Sequence, residues 1–392
     1  MRSKLLYTIF LLQAFIFNLS NVITPRFLSE LSLDKYYFGY YSAIWSFGIM
    51  VSSPIWGKIS TKYGKKNFVI LGIAIYALSQ LGFYYVSNIF ILGVLRLTSG
   101  IGVGAIVTLL LSYLILNTGP KVRAKALSYR MAFITLGMTL AYMIGGLVGS
   151  NITREMFLYQ SLLSVIFIVL IILFMREEKV KSCVFPKQYN LFDSIKFIKH
   201  MDKQVLVFLF SITLTTMSFV NLDKFLDLYI IDQGYGVSVL GSVKMVFGLV
   251  LIITNFVFVP KLKRFLGNVY VLQTINVMMA VVVMVTLMNN NLLVMLYSVF
   301  LLFIILKGIY TTSEQLYLSK VIDKDHINIF VGIRQSFACL GMILGPIIGG
   351  HLYTYNQINM FQFNVVCLLL SSIMISYMKL VPKSSKELIY SK

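Results

Sequence analysis

One segment of this chain occurs twice. Residues Arg130 to Gly146, RMAFITLGMTLAYMIGG, match residues Arg334 to Gly350, RQSFACLGMILGPIIGG, at nine of seventeen positions. Both copies lie in apolar stretches that are long enough to cross a bilayer, for which a helix needs about 20 residues. Duplicated membrane units are typical of carriers. The repeat therefore predicts two related halves, each of them a bundle of membrane helices.

The composition agrees with this class. The chain has 392 residues, of which 58% are hydrophobic and 12% are charged, about half the charge of a soluble domain. At about 20 residues per span there is room for about twelve spans. We expect all of them to be helices, since backbone exposed to lipid must satisfy its own hydrogen bonds. The predicted spans are 5–26, 37–57, 67–88, 89–116, 126–150, 155–175, 204–232, 238–260, 267–288, 291–319, 328–352 and 357–380.

We therefore predict an all-α membrane protein with twelve transmembrane helices in two pseudo-symmetric six-helix bundles. The bundles are residues 1–175 and 204–392. Between them, residues 176–203 break the apolar pattern with a charged stretch, after which apolar residues return at helical spacing. This segment is predicted to be a cytoplasmic linker that ends in a short interfacial helix, and a plain solvated connector is the alternative.

The net charge of +20 could indicate a nucleic-acid partner, but the cations sit in short segments between apolar runs. Most of them fall on one side of the predicted spans, whereas the opposite side has only Arg26, Lys35, Arg154 and Lys224. Cytoplasmic loops carry the excess of Lys and Arg. The sequence therefore predicts a multi-pass protein of the cell membrane with both termini in the cytoplasm, and no nucleic-acid partner.

A tight basic turn follows the second span, in the segment PIWGKISTKYGKK. It resembles the loop motif of the major facilitator superfamily, which reads Gly-x-x-x-Asp-Arg-x-Gly-Arg-Lys. The residues that match in kind are Gly57, Lys62, Gly64, Lys65 and Lys66, while Thr61 replaces the aspartate. The glycines permit a sharp turn, and the cations anchor the inner surface. In the family the aspartate latches onto the neighbouring bundle, and this chain lacks that residue.

Span 4 contains a second motif, Arg96-Leu-Thr-Ser-Gly100-Ile-Gly102, which resembles the Arg-x-x-x-Gly-x-Gly pattern of the same family. An arginine in an apolar span is costly and is therefore a functional candidate. The resemblance implies a role for Arg96 in gating or proton coupling. A structural hydrogen-bond anchor is the alternative.

Span 11 contains a third motif, which resembles the pattern of the family's antiporters. Its residues are Gly341, Gly345, Pro346, Gly349 and Gly350. In antiporters the diagnostic position is span 5, where this chain has Ala141 and Tyr142 in place of the Gly-Pro pair. Small residues and a proline suit a close, bent interface between the bundles.

Proton coupling generally requires a sheltered group that changes protonation. Spans 1 to 6 offer no acid in their interiors, and span 1 offers only Asn18 and Asn21. In the second half, Asp223 and Asp227 share a helix face, and we expect Lys244 on span 8 to lie within reach of them. We also expect Glu314 of span 10 to lie within reach of Arg334. Each pair has the alternative interpretation of a structural salt bridge.

Two further hypotheses concern cations. Arg130 and Arg334 occupy equivalent positions near the inner ends of spans 5 and 11, and we predict that they help to close a cytoplasmic gate. Arg96 and Lys307 are the deepest ionisable residues by the predicted boundaries. An unpaired cation in a membrane is costly, so a cavity that contains both would favour an anionic or zwitterionic substrate.

The resemblance implies two six-helix bundles, a central cavity and alternating access driven by an ion gradient. We predict a proton-coupled exporter of small amphipathic compounds, similar to drug antiporters, that works as a monomer. A carrier of a specific metabolite, such as an organic anion, sugar or siderophore, is one alternative, and a transport-dead membrane sensor or scaffold is another. The histidines and cysteines show no metal or catalytic spacing, so no enzyme activity, metal or cofactor is predicted.

Overall fold

A computed structural model describes residues 3–118, 120–175, 203–262, 264–287, 291–321 and 327–380, and over these ranges the chain forms helices and no strands. The helices of the first half are α1 (Ser3–Asn18), α2 (Thr24–Glu30), α3 (Tyr36–Tyr63), α4 (Lys66–Tyr85), α5 (Ile89–Leu116), α6 (Pro120–Gly149) and α7 (Glu155–Phe174). Those that follow are α8 (Lys203–Asp232), α9 (Val237–Ile253), α10 (Val269–Leu287), α11 (Leu292–Tyr297), α12 (Val299–Val321), α13 (Ile327–Tyr355) and α14 (Gln357–Leu380). Helix α9 continues through a π-helical turn, Thr254–Phe258, and ends with Val259–Lys261.

The described helices fit the twelve predicted spans. Within the described ranges, ten helical segments are long and apolar enough to cross a membrane. The other two predicted spans coincide with the α1–α2 pair and with α3, which has 28 residues and is therefore long enough at about 1.5 Å per residue. The chain is thus an all-α polytopic membrane protein.

The apolar run of the first span predicted one continuous helix, but the structure has two. Helix α1 ends at Asn18, and the chain resumes as α2 at Thr24. The Asn18 side chain donates to the Ala14 carbonyl at 2.7 Å and accepts from Asn21 Nδ2 at 2.8 Å. Side-chain amides that bond locally to backbone compete with the helix. The two asparagines therefore mark the break in the first span.

The described helices form two compact units. Residues 226–252, which comprise the end of α8 and nearly all of α9, pack with α1 to α7, and the remaining described residues form the second unit. The division of the chain into bundles at residues 175 and 204 remains a prediction. The linker between them, residues 176–203, lies almost entirely outside the described residues, as does its interfacial helix.

Glycines set the helix packing of the first unit. In α5, Gly100 faces α3, where an added methyl group would lie 3.3 Å from Gly48 Cα, and Gly102 faces α4, where it would meet the Gly72 carbonyl at 2.5 Å. Contacts this close leave no space for a side chain, so the backbones touch. The glycines of the Arg96 motif therefore wedge α5 between α3 and α4.

The repeat has a structural counterpart in each unit. A methyl group at Gly137 of α6 would meet the Leu11 carbonyl of α1, and at the equivalent Gly341 of α13 it would meet the Thr213 carbonyl of α8 at 2.5 Å. The pair Gly145 and Gly349 repeats this, against Leu19 and Asn221. The duplicated segment therefore packs against the first helix of its own half in both copies.

The orientation in the membrane remains a prediction, and an exposed residue can test it. Tyr63, at the predicted cytoplasmic end of α3, is 58% exposed, and Phe90, at the predicted outer end of α5, is 83% exposed. In a variant whose native cysteines are replaced by serine, we expect Tyr63→Cys to react with an impermeant maleimide only from the cytoplasmic side. Phe90→Cys should react only from outside, and the reverse pattern would invert the topology.

Candidate functional site

A buried ion pair joins α8 to α9 in the first unit. Asp227 Oδ1 lies 2.7 Å from Lys244 Nζ, and the two side chains are 5% and 4% exposed. The ammonium also lies 5.9 Å from the centre of the Tyr142 ring on α6. Removing one ion from such a pair leaves an uncompensated buried charge. Of the two acids predicted to face Lys244, Asp227 is therefore the one that forms the buried pair.

Asp223 has a more open environment one turn earlier on α8. Its Oδ2 lies 3.9 Å from Lys224 Nζ, and its side chain is 38% exposed. Lys307 of α12 places its Nζ 5.3 Å from the ring centre of Phe219. Phe219 and Asp223 are four residues apart and therefore share a helix face. The second unit thus brings Lys307 to the face of α8 that carries Asp223.

A second ion pair lies at the predicted inner end of the second unit. Arg334 Nε donates to Glu314 Oε1 at 2.8 Å, and the Glu314 side chain is 4% exposed, against 24% for Arg334. The partner predicted for Arg334 is therefore in contact with it. Both residues belong to one compact unit, so this pair joins α12 to α13.

The equivalent arginine of the first half has different surroundings. Arg130 lies over the Phe10 ring at 5.1 Å, and its Nε is buried with no hydrogen-bond partner among the described residues. The residue twenty positions before it, where Glu314 stands relative to Arg334, is the buried Leu110. The two copies of the repeat therefore share an arginine but not the acidic partner that pairs with it. The predicted gate role of both arginines stays a prediction.

Arg96 is held by aromatic rings and a carbonyl. Its guanidinium carbon lies 4.2 Å from the centre of the Tyr41 ring and 5.4 Å from that of Trp45, and its Nε donates to the Tyr41 carbonyl at 3.3 Å. Cation–π contacts and carbonyl acceptors offset part of the cost of an intramembrane charge. These contacts fit the anchor alternative, and the functional role of Arg96 stays a prediction.

The loop motif forms a glycine turn at the end of α3. Gly64 has φ +87°, a value that non-glycine residues rarely adopt, and Lys66 Nζ donates to the Ile172 carbonyl in the last turn of α7 at 2.7 Å. Lys65 is 8% exposed, so it does not face solvent as the positive-inside pattern suggested. Gly57 has open space around its Cα. The side chains of Thr61 and Lys62 fall outside what the structure describes.

The span 11 motif lies along one face of α13. Gly341, Gly345 and Gly349 approach Thr213, Met217 and Asn221 of α8, and added methyl groups would lie 2.5 to 3.0 Å from these residues. Pro346 lies inside the uninterrupted helix, and Gly350 accepts a hydrogen bond from Thr354 at 3.0 Å. The motif therefore packs α13 against α8 of the same unit.

Sequence reasoning missed two features. Lys35 Nζ lies 2.6 Å from Asp232 Oδ2 at the predicted outer end of α8, and these residues are too far apart in the sequence for a local pattern to connect them. A buried polar cluster also joins four helices of the second unit. Its members are Thr215, Asn276, Tyr310 and Ser371, which are linked by hydrogen bonds of 2.8 to 3.3 Å. Single polar residues in apolar spans were its only sequence signal.

Together these features define a class of protein. Ten described helices that can cross a membrane, duplicated helix packing and ion pairs held inside the helix bundles are typical of secondary carriers. The sequence profile of the Major Facilitator Superfamily matches residues 5–270 and 208–390. The chain belongs to the Major Facilitator Superfamily of membrane transporters.

Relatives and solved structures agree with this assignment. The chain is 24% identical over 355 residues to multidrug resistance protein 1 of Bacillus subtilis (strain 168), covering 88% of each chain. It is 24% identical over 343 residues to quinolone resistance protein NorA of Staphylococcus aureus (strain MRSA252), covering 84% of each. A bacterial homologue of the human lysosomal transporter Spinster, solved in an inward-facing and unoccupied conformation, has the same fold. The TM-score is 0.75 at 14% identity, over 96% of this chain and 95% of the other.

Proposed function

We propose that this transporter is a proton-coupled exporter of small amphipathic compounds. The observation that carries the proposal is the Asp227–Lys244 pair, in which both side chains are at most 5% exposed. A carboxylate sheltered from water can change protonation with a large effect on its surroundings. The names of the two relatives, one a multidrug and the other a quinolone resistance protein, support export and an amphipathic cargo.

The coupling step follows from the ion pair. Protonation of Asp227 removes the negative charge 2.7 Å from Lys244 Nζ and leaves a buried ammonium beside the Tyr142 ring. That charge is stable only if it finds water or another anion. States in which Lys244 is hydrated are therefore favoured when Asp227 is protonated, and the pair re-forms when the proton leaves. Proton uptake and release on opposite sides of the membrane would in this way drive one transport cycle.

Glu314 is a second coupling candidate, because its side chain is 4% exposed and is bonded to Arg334. The two acids differ in their partners: a guanidinium stays charged at all relevant pH values, whereas an ammonium can lose its proton in an apolar site. The Asp227–Lys244 pair therefore has two groups that can titrate. We assign the main coupling role to it for this reason.

Flux across a proton gradient tests the proposal directly. Purified protein is placed in liposomes that contain DNA, whose fluorescence with ethidium reports dye entry. Acidifying the lumen should drive ethidium uptake by molecules whose cytoplasmic face points outward, and a protonophore should abolish that uptake. Protein-free liposomes supply the background. Gradient-independent uptake, or none for any of a panel of cationic, neutral and anionic compounds, contradicts the proposal, and the second result supports the transport-dead alternative.

A metabolite carrier for an organic anion is the second candidate function. It is favoured by the positions of Lys307 beside Phe219 and of Arg96 beside Tyr41 and Trp45, which place two cations next to rings inside the predicted spans. If an anion binds at Lys307, Lys307→Ala should lower carboxyfluorescein transport at least about tenfold, the factor equivalent to about 1.4 kcal/mol. Ethidium transport should then be unchanged or increased. Unchanged carboxyfluorescein transport in this variant, with good ethidium transport by the parent, removes this candidate.

A further inference from the structure

The first unit contains a pocket that no step of the proposed transport cycle uses. It lies between the first turns of α3 and α5, beside the end of α2, and has a volume of about 470 Å³. Its wall includes Tyr36, Tyr37, Tyr40, Tyr41, Phe90 and Gly93, and we call it the tyrosine pocket. Pockets for small molecules span about 300 to 1,000 Å³. The tyrosine pocket therefore has the volume of a site for one small ligand.

The wall of the tyrosine pocket selects an apolar, planar body. Four of its residues are tyrosines on two successive turns of α3, and Phe90 faces them from α5. None of the described residues that form the wall carries a charged side chain. Aromatic side chains pack against other rings in offset or edge-to-face geometry. A ligand made of fused or linked aromatic rings fits such a wall better than a flexible chain does.

One polar group in the wall, the hydroxyl of Tyr41, lacks a hydrogen-bond acceptor among the described residues. Tyr41 is 6% exposed, and its hydroxyl interacts with the Arg96 guanidinium, which can only donate, but has no hydrogen-bond acceptor in the part of the chain that the structure describes. Buried hydroxyl groups are nearly always satisfied by protein, water or ligand. A ligand oxygen in the tyrosine pocket would accept a hydrogen bond from this hydroxyl.

The electrostatic surroundings determine where in the pocket a negative group of the ligand would lie. The Arg96 guanidinium lies 4.2 Å from the centre of the Tyr41 ring, whereas the Asp34 carboxylate stands beside Tyr36, at the other end of the wall. Next to Tyr41, a cationic group would be repelled by Arg96 inside a region of low dielectric, whereas a carboxylate or a phenol oxygen would be attracted. The same cation occupies the Tyr41 face that could otherwise bind a cationic ligand by cation–π contact.

We propose that the tyrosine pocket binds a planar aromatic compound that carries a carboxylate or phenol oxygen. The ring system lies among Tyr36, Tyr37, Tyr40 and Phe90, and the oxygen accepts a hydrogen bond from the Tyr41 hydroxyl. A lipid acyl chain is excluded as the intended occupant because it neither stacks on rings nor satisfies Tyr41. This site is separate from the ion pairs on which the proposed function depends, so it stands or fails independently of proton coupling.

A tryptophan beside the pocket supplies the assay. The chain has two tryptophans, and Trp45 directly follows the wall residue Ile44. In a Trp56→Phe variant of the full-length protein in lipid nanodiscs, Trp45 becomes the single tryptophan. The probe is 3-hydroxy-2-naphthoate, a planar carboxylate with a phenol group that accepts energy from tryptophan. We expect saturable quenching of Trp45 by this probe.

Gly93 allows the pocket to be filled without a backbone clash. A methyl group there would have only Ile44 Cδ1, at 4.0 Å, within contact distance among the described residues, so Gly93→Leu projects into the cavity. We expect this variant to weaken naphthoate binding at least about tenfold, and Tyr41→Phe to weaken it about fivefold, the effect of one lost hydrogen bond. Gly93→Ala, which adds one methyl group, should change it about twofold. Gly236→Leu, in the α8–α9 loop outside the pocket, is the matched control and should bind like the parent.

Three results would overturn the proposal. The first is equal quenching in the parent and in Gly93→Leu. The second is displacement of naphthoate by ethidium, a planar cation, as readily as by unlabelled aromatic carboxylates. The third is quenching of Trp45 by phospholipids with brominated acyl chains that Gly93→Leu relieves, because it identifies a lipid as the occupant. A failure of proton-driven flux, in contrast, leaves the naphthoate measurement unaffected.

Discussion

Replacing Asp227 with asparagine is expected to abolish gradient-driven transport and to destabilise the protein by about 3 to 5 kcal/mol, the usual cost of breaking a buried ion pair. The physical reason is that Lys244, 4% exposed and 2.7 Å from the carboxylate, loses its counter-ion and must either stay charged in a buried site or give up its proton, both at a cost in free energy. The measurements are proton-driven ethidium uptake in liposomes and thermal unfolding in detergent. Asp34→Asn, the same change at an exposed position of the outer loop, should alter neither.

A double variant separates the structural role of this pair from a coupling role. Asp227→Asn combined with Lys244→Gln removes both charges, so most of the lost stability should return. Ethidium uptake driven by the proton gradient should stay absent, because neither asparagine at position 227 nor glutamine at position 244 can titrate. Asp227→Glu keeps a titratable acid and should retain part of the activity. Gradient-driven uptake by the double variant would show that Asp227 is a structural residue and that another group carries the proton.

The sequence was sufficient to predict the helices and the repeat because both depend on local patterns. Apolar runs of about 20 residues define spans, and the repeated segment packs against the first helix of its half in both copies, through Gly137 and Gly341. The partner of Arg334 was also predicted correctly, since Glu314 lies on the preceding span near the same membrane surface. Such predictions require only the length of a helix and the side on which it ends.

The direction in which a residue faces around its helix could not be predicted in the same way. Arg96 and Lys307 are deepest along their spans, yet Asp227, Lys244 and Glu314 are more buried. Depth in the membrane follows from position in the sequence, whereas burial depends on which neighbouring helix covers a side chain. The spans have no strong amphipathic pattern, because lipid and helix-bundle interiors are both apolar. Local patterns therefore located the charges but not their surroundings.

The tyrosine pocket illustrates the same limit. Its wall combines residues of α3 with Phe90 and Gly93 of α5, which no sequence spacing connects. From the sequence alone, tyrosines at the end of a span indicate an aromatic belt at the membrane surface. The pocket becomes visible only when α3 and α5 are brought together by Gly48 and Gly100. The close contact of α3 and α5 at these glycines thus forms the tyrosine pocket, which lies further along the same two helices.

Replacing Gly146 with valine is expected to have the other large effect. In the first unit α6 and α9 touch at Gly146 and Gly241, where a methyl group on either residue would lie 2.6 to 2.7 Å from the Cα of the other. Two turns away, Gly248 packs closely against the side chain of Thr139. At Gly146 the added side chain would meet backbone atoms of α9 rather than a flexible side chain. The helices α6 and α9 must therefore move apart along their contact. We expect a loss of stability of about 2 kcal/mol or more and loss of transport.

Thermal unfolding and ethidium flux measure both effects, and Gly241→Val should reproduce them because it places the same bulk in the same contact. Gly57→Val is the matched control: Gly57 lies inside α3, an added methyl group there would meet no atom of another part of the described chain within 4 Å, and valine is no worse than glycine in a helix. The loop motif alone would predict that Gly57 is the more sensitive glycine, whereas the packing predicts Gly146. If Gly57→Val and Gly146→Val lose stability equally, the backbone contact between α6 and α9 is not what holds these helices together, and the glycines act through helix flexibility instead.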